Sequence, residues 1–493
     1  MTAGIKTEGI DRVRIFIAHI CDEFPEHFIL RDYSRGERYT YTEWGQDGDI
    51  LARELQAQGF VPGDFVLMRF GNNYGYLAAY GGISRAEGVA APVALRLTGR
   101  ELARVLDLVK PKWYLTDLPE WEESREAVAA STVAHIGLWT GTGWEWKNND
   151  PRGEARRPDL GLAHLRFTSG SQGEPKAVAL TQANMLCRVG CPGHYAVAGD
   201  VFFLGIPFVF RPDRLILALS VGAEIVVEES VHPRQIVRCW QETGVTFAWL
   251  VPTLIGLLIQ LEEQEIPENL ALRGINTGGA YLYRQWEEKF ESLFHVPVYQ
   301  QYGLSEGCVA FENPLIKKTG SVGRPAPLVE AKICDSQGRE LSYGQIGELW
   351  YRGANVMRGY LDRPDLTAAA LRDGWLRTGD LARFDQDQYL FIEGRIKDLI
   401  HSGGLKFSPR EVEDVLLLYS GIKEAAVVGV PHKTKGEVSK AYFVANRSIR
   451  QTELREFCRQ HLADYKIPRA WEQVESLPKL SSGKIARRSV GQR

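Results

Sequence analysis

This sequence predicts a mixed α/β protein, with a long N-terminal body followed by a small α+β unit. Three observations carry that reading. The chain has 493 residues, more than one compact core of about 100–200 residues organises. Amphipathic helical stretches alternate with short apolar runs, the pattern of layered α/β architecture. Near residue 396 the charge balance changes sign. Residues 396–493 hold 18 Lys+Arg against 11 Asp+Glu, a net of +7, while residues 1–395 hold 41 against 51, a net of −10.

The elements follow in order. Trp44, Leu51 and Leu55 share one face of a helix that stops at Gly59, and Pro62-Gly63-Asp64 turns the chain into an apolar strand over 65–68. The longest nearly apolar stretch, 215–227, is broken by Glu224. It falls short of the roughly 20 residues a membrane helix needs, so no membrane span is expected. Residues 223–227, 235–242 and 247–251 read as strand, helix, strand. Ser408-Pro409-Arg410-Glu411 reads as a capping box with proline at the first helical position, and Val412, Val415 and Leu416 follow on one face. A strand over 425–430 and a helix marked by Thr452, Leu454, Phe457, Cys458 and Leu462 complete a unit of ~100 residues, near the usual domain size. The hinge is expected at 395–398.

Composition narrows the function. Hydrophobic residues at 44%, charged residues at 25% and a mean hydropathy of −0.22 are globular values, and they exclude disordered, collagenous and membrane classes. Lys6, Glu8, Asp11 and Arg12 precede any apolar run, so no secretory signal is expected and a cytoplasmic location follows. Cys187 and Cys191 have no second Cys or His pair nearby to complete a tetrahedral metal site and read as ordinary thiols. A basic C-terminal unit facing an acidic body suits either a polyanionic ligand such as a nucleotide or two complementary domain surfaces, and its basic residues are too dispersed for a nucleic-acid site.

Five segments carry chemistry. The first is Leu165-Arg166-Phe167-Thr168-Ser169-Gly170-Ser171-Gln172-Gly173-Glu174-Pro175-Lys176. Its glycines let successive N–H groups converge on one anion, its hydroxyls add donors and Lys176 adds charge, so it reads as a phosphate cradle. It is neither a Walker A loop nor a nucleophile elbow. The second, Gln300-Gln301-Tyr302-Gly303-Leu304-Ser305-Glu306-Gly307, follows an apolar run over 296–299. It offers Glu306 to a hard cation such as Mg2+ and Tyr302 to stack on a base. The third, 374–381, ends a strand-like run in Asp380, an acceptor for a sugar's hydroxyls. The fourth runs from Gly394-Arg395 through Lys397 to Gly403-Gly404, and the fifth is Leu480-Ser481-Ser482-Gly483-Lys484.

In this order the five segments resemble the adenylate-forming (ANL) superfamily, which includes acyl- and aryl-CoA ligases, adenylation domains of nonribosomal peptide synthetases and beetle luciferases. Tyr39-Thr40-Tyr41-Thr42-Glu43-Trp44, Gly347-Glu348-Leu349, Gly353 and Gly359-Tyr360 extend the resemblance over nearly the whole chain. It implies a body of three α/β subdomains, residues 1–395, and a mobile cap, residues 396–493, hinged at Lys397. By the same resemblance Thr168, Ser169, Gly170, Ser171, Gln172, Gly173 and Lys176 hold the β- and γ-phosphates of ATP. Ser305 approaches the α-phosphate, Glu306 binds Mg2+, Asp380 and Arg395 hold the ribose, and Gly279, Ala280 and Tyr302 border the adenine. Lys484 bridges the acid and the α-phosphate. Rotation of the cap then brings Gly403 and Gly404 to the site and opens a path for a phosphopantetheine thiol.

The implied activity is ATP- and Mg2+-dependent activation of a carboxylic acid to an acyl adenylate, followed by transfer to coenzyme A. Transfer to a carrier protein is the close alternative. A non-catalytic nucleotide-binding module and a luciferase-like oxygenase are more distant readings. Phe208, Phe210, Trp249, Gly278, Leu304 and Val309 are the expected pocket walls, with Phe210 as gate. Asp213 is ambiguous between a surface position and a partner for a substrate amino group, and Arg211 and Arg214 read as a solvated surface turn in preference to partners of a second substrate anion. Gln172 and Ala177 depart from the threonine and glycine usual in the family.

Overall fold

The computed structural model describes residues 10–169, 174–187, 197–210, 212–312, 317–479 and 485–491. Its strands form four sheets. Two large ones make the N-terminal body. A nine-stranded sheet has the parallel strands Val298–Leu304, Ile275–Gly278, Phe247–Leu250, Val201–Gly205, Glu224–Val227 and Phe28–Asp32 in that spatial order. An eight-stranded sheet is built on Phe65–Arg69, Val89–Pro92, Trp113–Asp117 and His135–Trp139. Every residue of Phe65–Arg69, Val89–Pro92, Glu224–Val227 and Phe247–Leu250 is buried, the near-continuous apolar run with an occasional paired charge that a parallel strand covered on both faces shows.

The sequence-predicted units are present. The helix Tyr41–Ala57 starts at a Thr40–Glu43 capping box and lies on the helix Tyr74–Arg85. Contact is close because Gly82 faces Leu51, where a Cβ would come within 2.5 Å of the leucine side chain. Residues 215–227 divide between the helix Pro212–Leu219 and the strand Glu224–Val227.

A third, five-stranded sheet contains Val329–Cys334, Gly347–Gly353, Trp375–Phe384 and Leu390–Arg395. The fourth, also five-stranded, lies wholly within residues 400–473 and is dominated by the hairpin Ile422–His432 and Gly436–Ala445. The helices Pro409–Leu418 and Gln451–His461 cover it. Between the third and fourth sheets, Ile396–Asp398 is a single 3₁₀ turn.

Two local expectations are corrected. Ser408 does cap the helix Pro409–Leu418, accepting from the Arg410 amide, but Glu411 does not close a capping box. Its carboxylate is taken by Lys466. Asp380 does not end a strand. It sits within Trp375–Phe384, opposite Arg395 of the neighbouring strand. Among the described residues no helix is long and apolar enough to cross a membrane.

Candidate active site

Two strands frame the first segment. His164–Ser169 pairs antiparallel with Pro175–Leu180, so Thr168 lies directly opposite Lys176, one pair before the loop end of the hairpin. Gly170, Ser171, Gln172 and Gly173 lie outside the described residues, as do Arg211, Lys484 and the side chains of Ser169, Asp213 and Val309.

The second segment lies at a strand end. The strand runs through Val298–Leu304, and Ser305, Glu306 and Gly307 make the turn into Cys308–Glu312. That turn is held from three directions. The Met357 amide donates to the Glu306 carbonyl at 2.8 Å, and the Asn355 side chain donates to the Gly307 carbonyl at 2.5 Å. Gly307 faces Tyr351 so closely that a Cβ would lie 2.0 Å from the phenol oxygen. With the backbone fixed, the Glu306 carboxylate accepts a hydrogen bond from the Tyr360 hydroxyl at 2.7 Å, through Oε1. Lys176 Nζ stands 5.3 Å from the centre of the Tyr360 ring. The strand Gly359–Tyr360 pairs with Pro175–Leu180, so one register brings the first and second segments together.

Four residues back along the same strand, Tyr302 donates to Asp380 Oδ2 at 2.6 Å, and Arg395 Nε donates to Asp380 Oδ1 at 2.9 Å. Burial, then the negative charge of Asp380, pushes the Tyr302 phenol well above its ordinary range, so it remains a donor. Tyr302 is only 9% exposed and packs edge-on against Phe311. Nearly all of the ring surface is covered and the hydroxyl holds Asp380, a pairing beyond the stacking expectation. The order of motifs along the chain contained no signal for that pairing.

Gly278 pairs with Gln301, where a Cβ would meet the Gln301 carbonyl at 2.7 Å, and Gly279 has φ +84. Beyond Ala280 the chain contacts both units: Leu282 stays in a core cluster of the body, while Tyr281 and Tyr283 turn to the C-terminal unit. Tyr281 donates to Asp414 Oδ2 at 2.9 Å, the Gln285 side chain donates to the Asp414 carbonyl at 3.1 Å, and Tyr283 is buried within the hydrophobic cluster of the C-terminal unit. This joint was missed from sequence because Tyr281 and Tyr283 resemble ordinary core aromatics.

The expected acid-side residues behave differently. Phe208, in the 3₁₀ turn Phe208–Phe210, is 1% exposed and packs on Tyr76 at 5.2 Å. Trp249 is 2% exposed and stacks on Phe202 at 4.9 Å. Both pack into the core of the body in this arrangement. Phe210, Gly278 and Leu304 keep partly exposed surface. The Asn72 side chain pins the turn, donating to the Ile206 carbonyl at 2.9 Å and accepting from the Phe208 amide at 2.8 Å. Arg214 is not in a solvated turn. It is 3% exposed, on the helix Pro212–Leu219, with its guanidinium 5.6 Å from the Trp249 ring.

In the C-terminal unit, Lys397 lies in the 3₁₀ turn Ile396–Asp398. Gly403 and Gly404 form the two-residue loop of the hairpin Ile400–Ser402 and Leu405–Phe407. Their φ values of +60 and +83 are those a tight type I′ turn demands of both central residues, and a Cβ at either would meet nothing within 4 Å. On either side of Lys484, Lys479 and Ile485 form a β-bridge, and Arg487 is paired with the buried Glu413.

The donor set suits a nucleoside triphosphate: a lysine and a hydroxyl at the mouth of a hairpin, a carboxylate with one oxygen engaged, and a buried carboxylate held by an arginine and a tyrosine. A hard oxygen donor such as Glu306 also fits Mg2+, which is usually bound by one or two carboxylates together with phosphates. Among the described residues no cluster of three or more His, Cys, Asp or Glu forms a separate metal site.

Comparison with known proteins agrees with this geometry. A family model described as AMP-binding enzyme matches residues 17–361, and one described as AMP-binding enzyme C-terminal domain matches residues 411–484. The fatty acid–[acyl-carrier-protein] ligase ScoC of Streptomyces coeruleorubidus is 30% identical over 482 residues, covering 93% of this chain and 92% of that protein. A long-chain-fatty-acid–CoA ligase of Bacillus subtilis is 34% identical over 516 residues, covering 95% and 92%. Among solved structures, the amide bond synthetase McbA of Marinactinospora thermotolerans aligns with a TM-score of 0.86 at 25% identity over 97% of this chain and 99% of that one.

Proposed function

The chain belongs to the AMP-binding enzymes, the adenylate-forming (ANL) superfamily, and from that premise we propose that it activates a carboxylic acid as an acyl adenylate and passes the acyl group to a pantetheine thiol. The observation that carries this reading is the continuity of the run from Tyr302 to Glu306. One short segment joins the Asp380–Arg395 pair to the Glu306–Tyr360–Lys176 cluster, so a sugar and a phosphate chain are met from the same strand end.

The chemistry explains the residue types. A carboxylate oxygen attacks the α-phosphorus of ATP, and the bond to the β-phosphate oxygen breaks with its electron pair leaving on pyrophosphate. Anion meets anion, so alignment and charge neutralisation are what the protein must supply, and no covalent protein nucleophile is needed. In our reading Thr168 and Lys176 meet the outer phosphates, Ser305 the α-phosphate, and Asp380 with Arg395 the ribose. Glu306 would hold Mg2+, which would supply positive charge to the phosphates. Residues 1–395 act as the binding body and residues 396–493 as the moving cap, which presents Lys484 in the first half-reaction. In the second, the thiolate sulfur attacks the acyl carbon, the bond to AMP breaks with its electrons on the phosphate, and the thiol proton passes to solvent.

Coenzyme A is the leading acceptor. Loading of a carrier protein is the second reading, and each acceptor appears in the name of a relative covering more than nine-tenths of the chain. The test is acid-dependent exchange of labelled pyrophosphate into ATP across fatty, aryl, amino and β-amino acids. Exchange with one acid class is expected, and Lys484→Ala should lower it about 10²- to 10³-fold, the scale of one preorganised charge-stabilising donor. The same variant should still convert a supplied acyl adenylate to thioester. Silence across the panel with ATP binding intact would favour a nucleotide-binding module without catalysis.

A further inference from the structure

Tyr360 stands where the two phosphate-side segments meet, and its backbone is fixed from both sides. The Arg358 amide donates to the Ala179 carbonyl at 3.0 Å and the Leu361 amide to the Ala177 carbonyl at 2.8 Å, which ties the strand Gly359–Tyr360 to the strand carrying Lys176. The Met357 amide ties the same stretch to the Glu306 carbonyl. The Tyr360 amide itself donates to Thr367 Oγ1 at 2.9 Å. From this fixed base the side chain does two things: its hydroxyl donates to Glu306 Oε1 at 2.7 Å, and its ring lies 5.3 Å from the Lys176 ammonium. The bond engages one carboxylate oxygen and leaves the other to a metal. A glutamate at a turn otherwise keeps rotamer freedom that a ligand must remove on binding. Burial and the charge of Glu306 raise the phenol's pKa, so the hydroxyl stays a donor.

We propose that Tyr360 is the positioning residue of the triphosphate site, holding the Glu306 carboxylate in one orientation for Mg2+ and setting its separation from Lys176. This rests on the reading of Glu306 and Lys176 as phosphate-side groups. It assigns a role to a residue that the motif order identified only as part of a family segment.

The experiment is equilibrium binding of ATP to the full-length protein as a function of Mg2+, with no acid present, for wild type, Tyr360→Phe, Glu306→Gln and the double variant. Metal-free AMP binding and melting temperature serve as controls. Tyr360→Phe keeps the ring and removes the hydroxyl. It should raise the half-saturating Mg2+ concentration about 3- to 10-fold, the range of one net hydrogen bond, with AMP affinity and melting temperature unchanged. In the Glu306→Gln background the same change should shift the Mg2+ dependence by less than about twofold, because the residue acts through that carboxylate. Equal losses for ATP and AMP, or a full shift persisting without Glu306, would overturn the proposal in favour of plain packing. A wild type that binds ATP with no Mg2+ dependence would overturn the metal role itself. A wild type that binds no ATP would instead remove the reading of the site on which the proposal stands.

Discussion

The proposed nucleotide side and the proposed acid side of the candidate site are built from opposite materials. On the nucleotide side, Asp380, Tyr302, Arg395, Glu306 and Tyr360 are joined by directional bonds of 2.6–2.9 Å, and each partner comes from a different strand or turn. On the acid side, Phe208 and Trp249 are fixed by packing and merge into the core of the body. Polar groups must be placed to within a fraction of an ångström to neutralise a phosphate. An apolar wall only has to be the right shape. Substitutions should therefore separate by kind: nucleotide-side changes in affinity for ATP, acid-side changes in choice of acid or in stability.

Among the kinetic tests of this division, the largest effect should come from Asp380→Ala. It removes the common partner of the Tyr302 hydroxyl and the Arg395 guanidinium, and the loss of charge-assisted bonds is worth about 10- to 100-fold in kcat/KM for ATP. KM for the acid should stay within about twofold. Steady-state kinetics with each substrate varied in turn would check this, and equal losses for both substrates would erase the proposed division. On the other side, Phe210→Ala should change the ratio of kcat/KM between a long and a short acid by about 10-fold while leaving KM for ATP alone, the scale of an altered apolar wall. Trp249→Ala sharpens the contrast. As a core residue it should cost about 3–5 kcal/mol of stability, read from denaturant unfolding, before it changes specificity.

The same contrast explains what was legible in the sequence. Thr168, Glu306, Asp380 and Arg395 were identifiable because polar and glycine-rich segments keep their chemistry in their local order. Their partners were hidden. Tyr302 and Asp380 are 78 residues apart, Glu306 and Tyr360 are 54 apart, and strand register alone makes them neighbours. The alternating helices and strands of the body could be read from apolar periodicity, yet the order of the strands could not, since covered parallel strands are alike in composition. Phe208 and Trp249 show the same limit: an aromatic side chain has the same pattern whether it lines a pocket or fills a core. Arg214 misled in the opposite direction, because charge suggests solvent and only the placement of the helix Pro212–Leu219 buries it.

The joint between body and C-terminal unit gives the smallest predicted effect and ties the comparison together, since Tyr281 and Tyr283 directly follow the Gly279–Ala280 segment proposed for the nucleotide. Asp414 receives the Tyr281 hydroxyl there. Burial first, with Glu413 and Glu393 adding to it, pushes its carboxyl up to about 6 from an ordinary 3.8, against the opposing Tyr281 bond and Arg410 charge. An acid whose docked pKa is raised favours the docked state when protonated, so docking strengthens as pH falls through about 6 and the gain is complete only below about 3.8. Relative to pH 8, the docking equilibrium constant should rise about 4-fold at pH 5.5 by that linkage. A donor–acceptor fluorophore pair across the body and the C-terminal unit would measure it. Asp414→Asn, which keeps an acceptor for Tyr281 and carries no charge, should hold docking at its low-pH level and remove the pH dependence. An unchanged pH profile in that variant would mean another group controls the joint, and that the nucleotide segment and the cap are not coupled through Asp414.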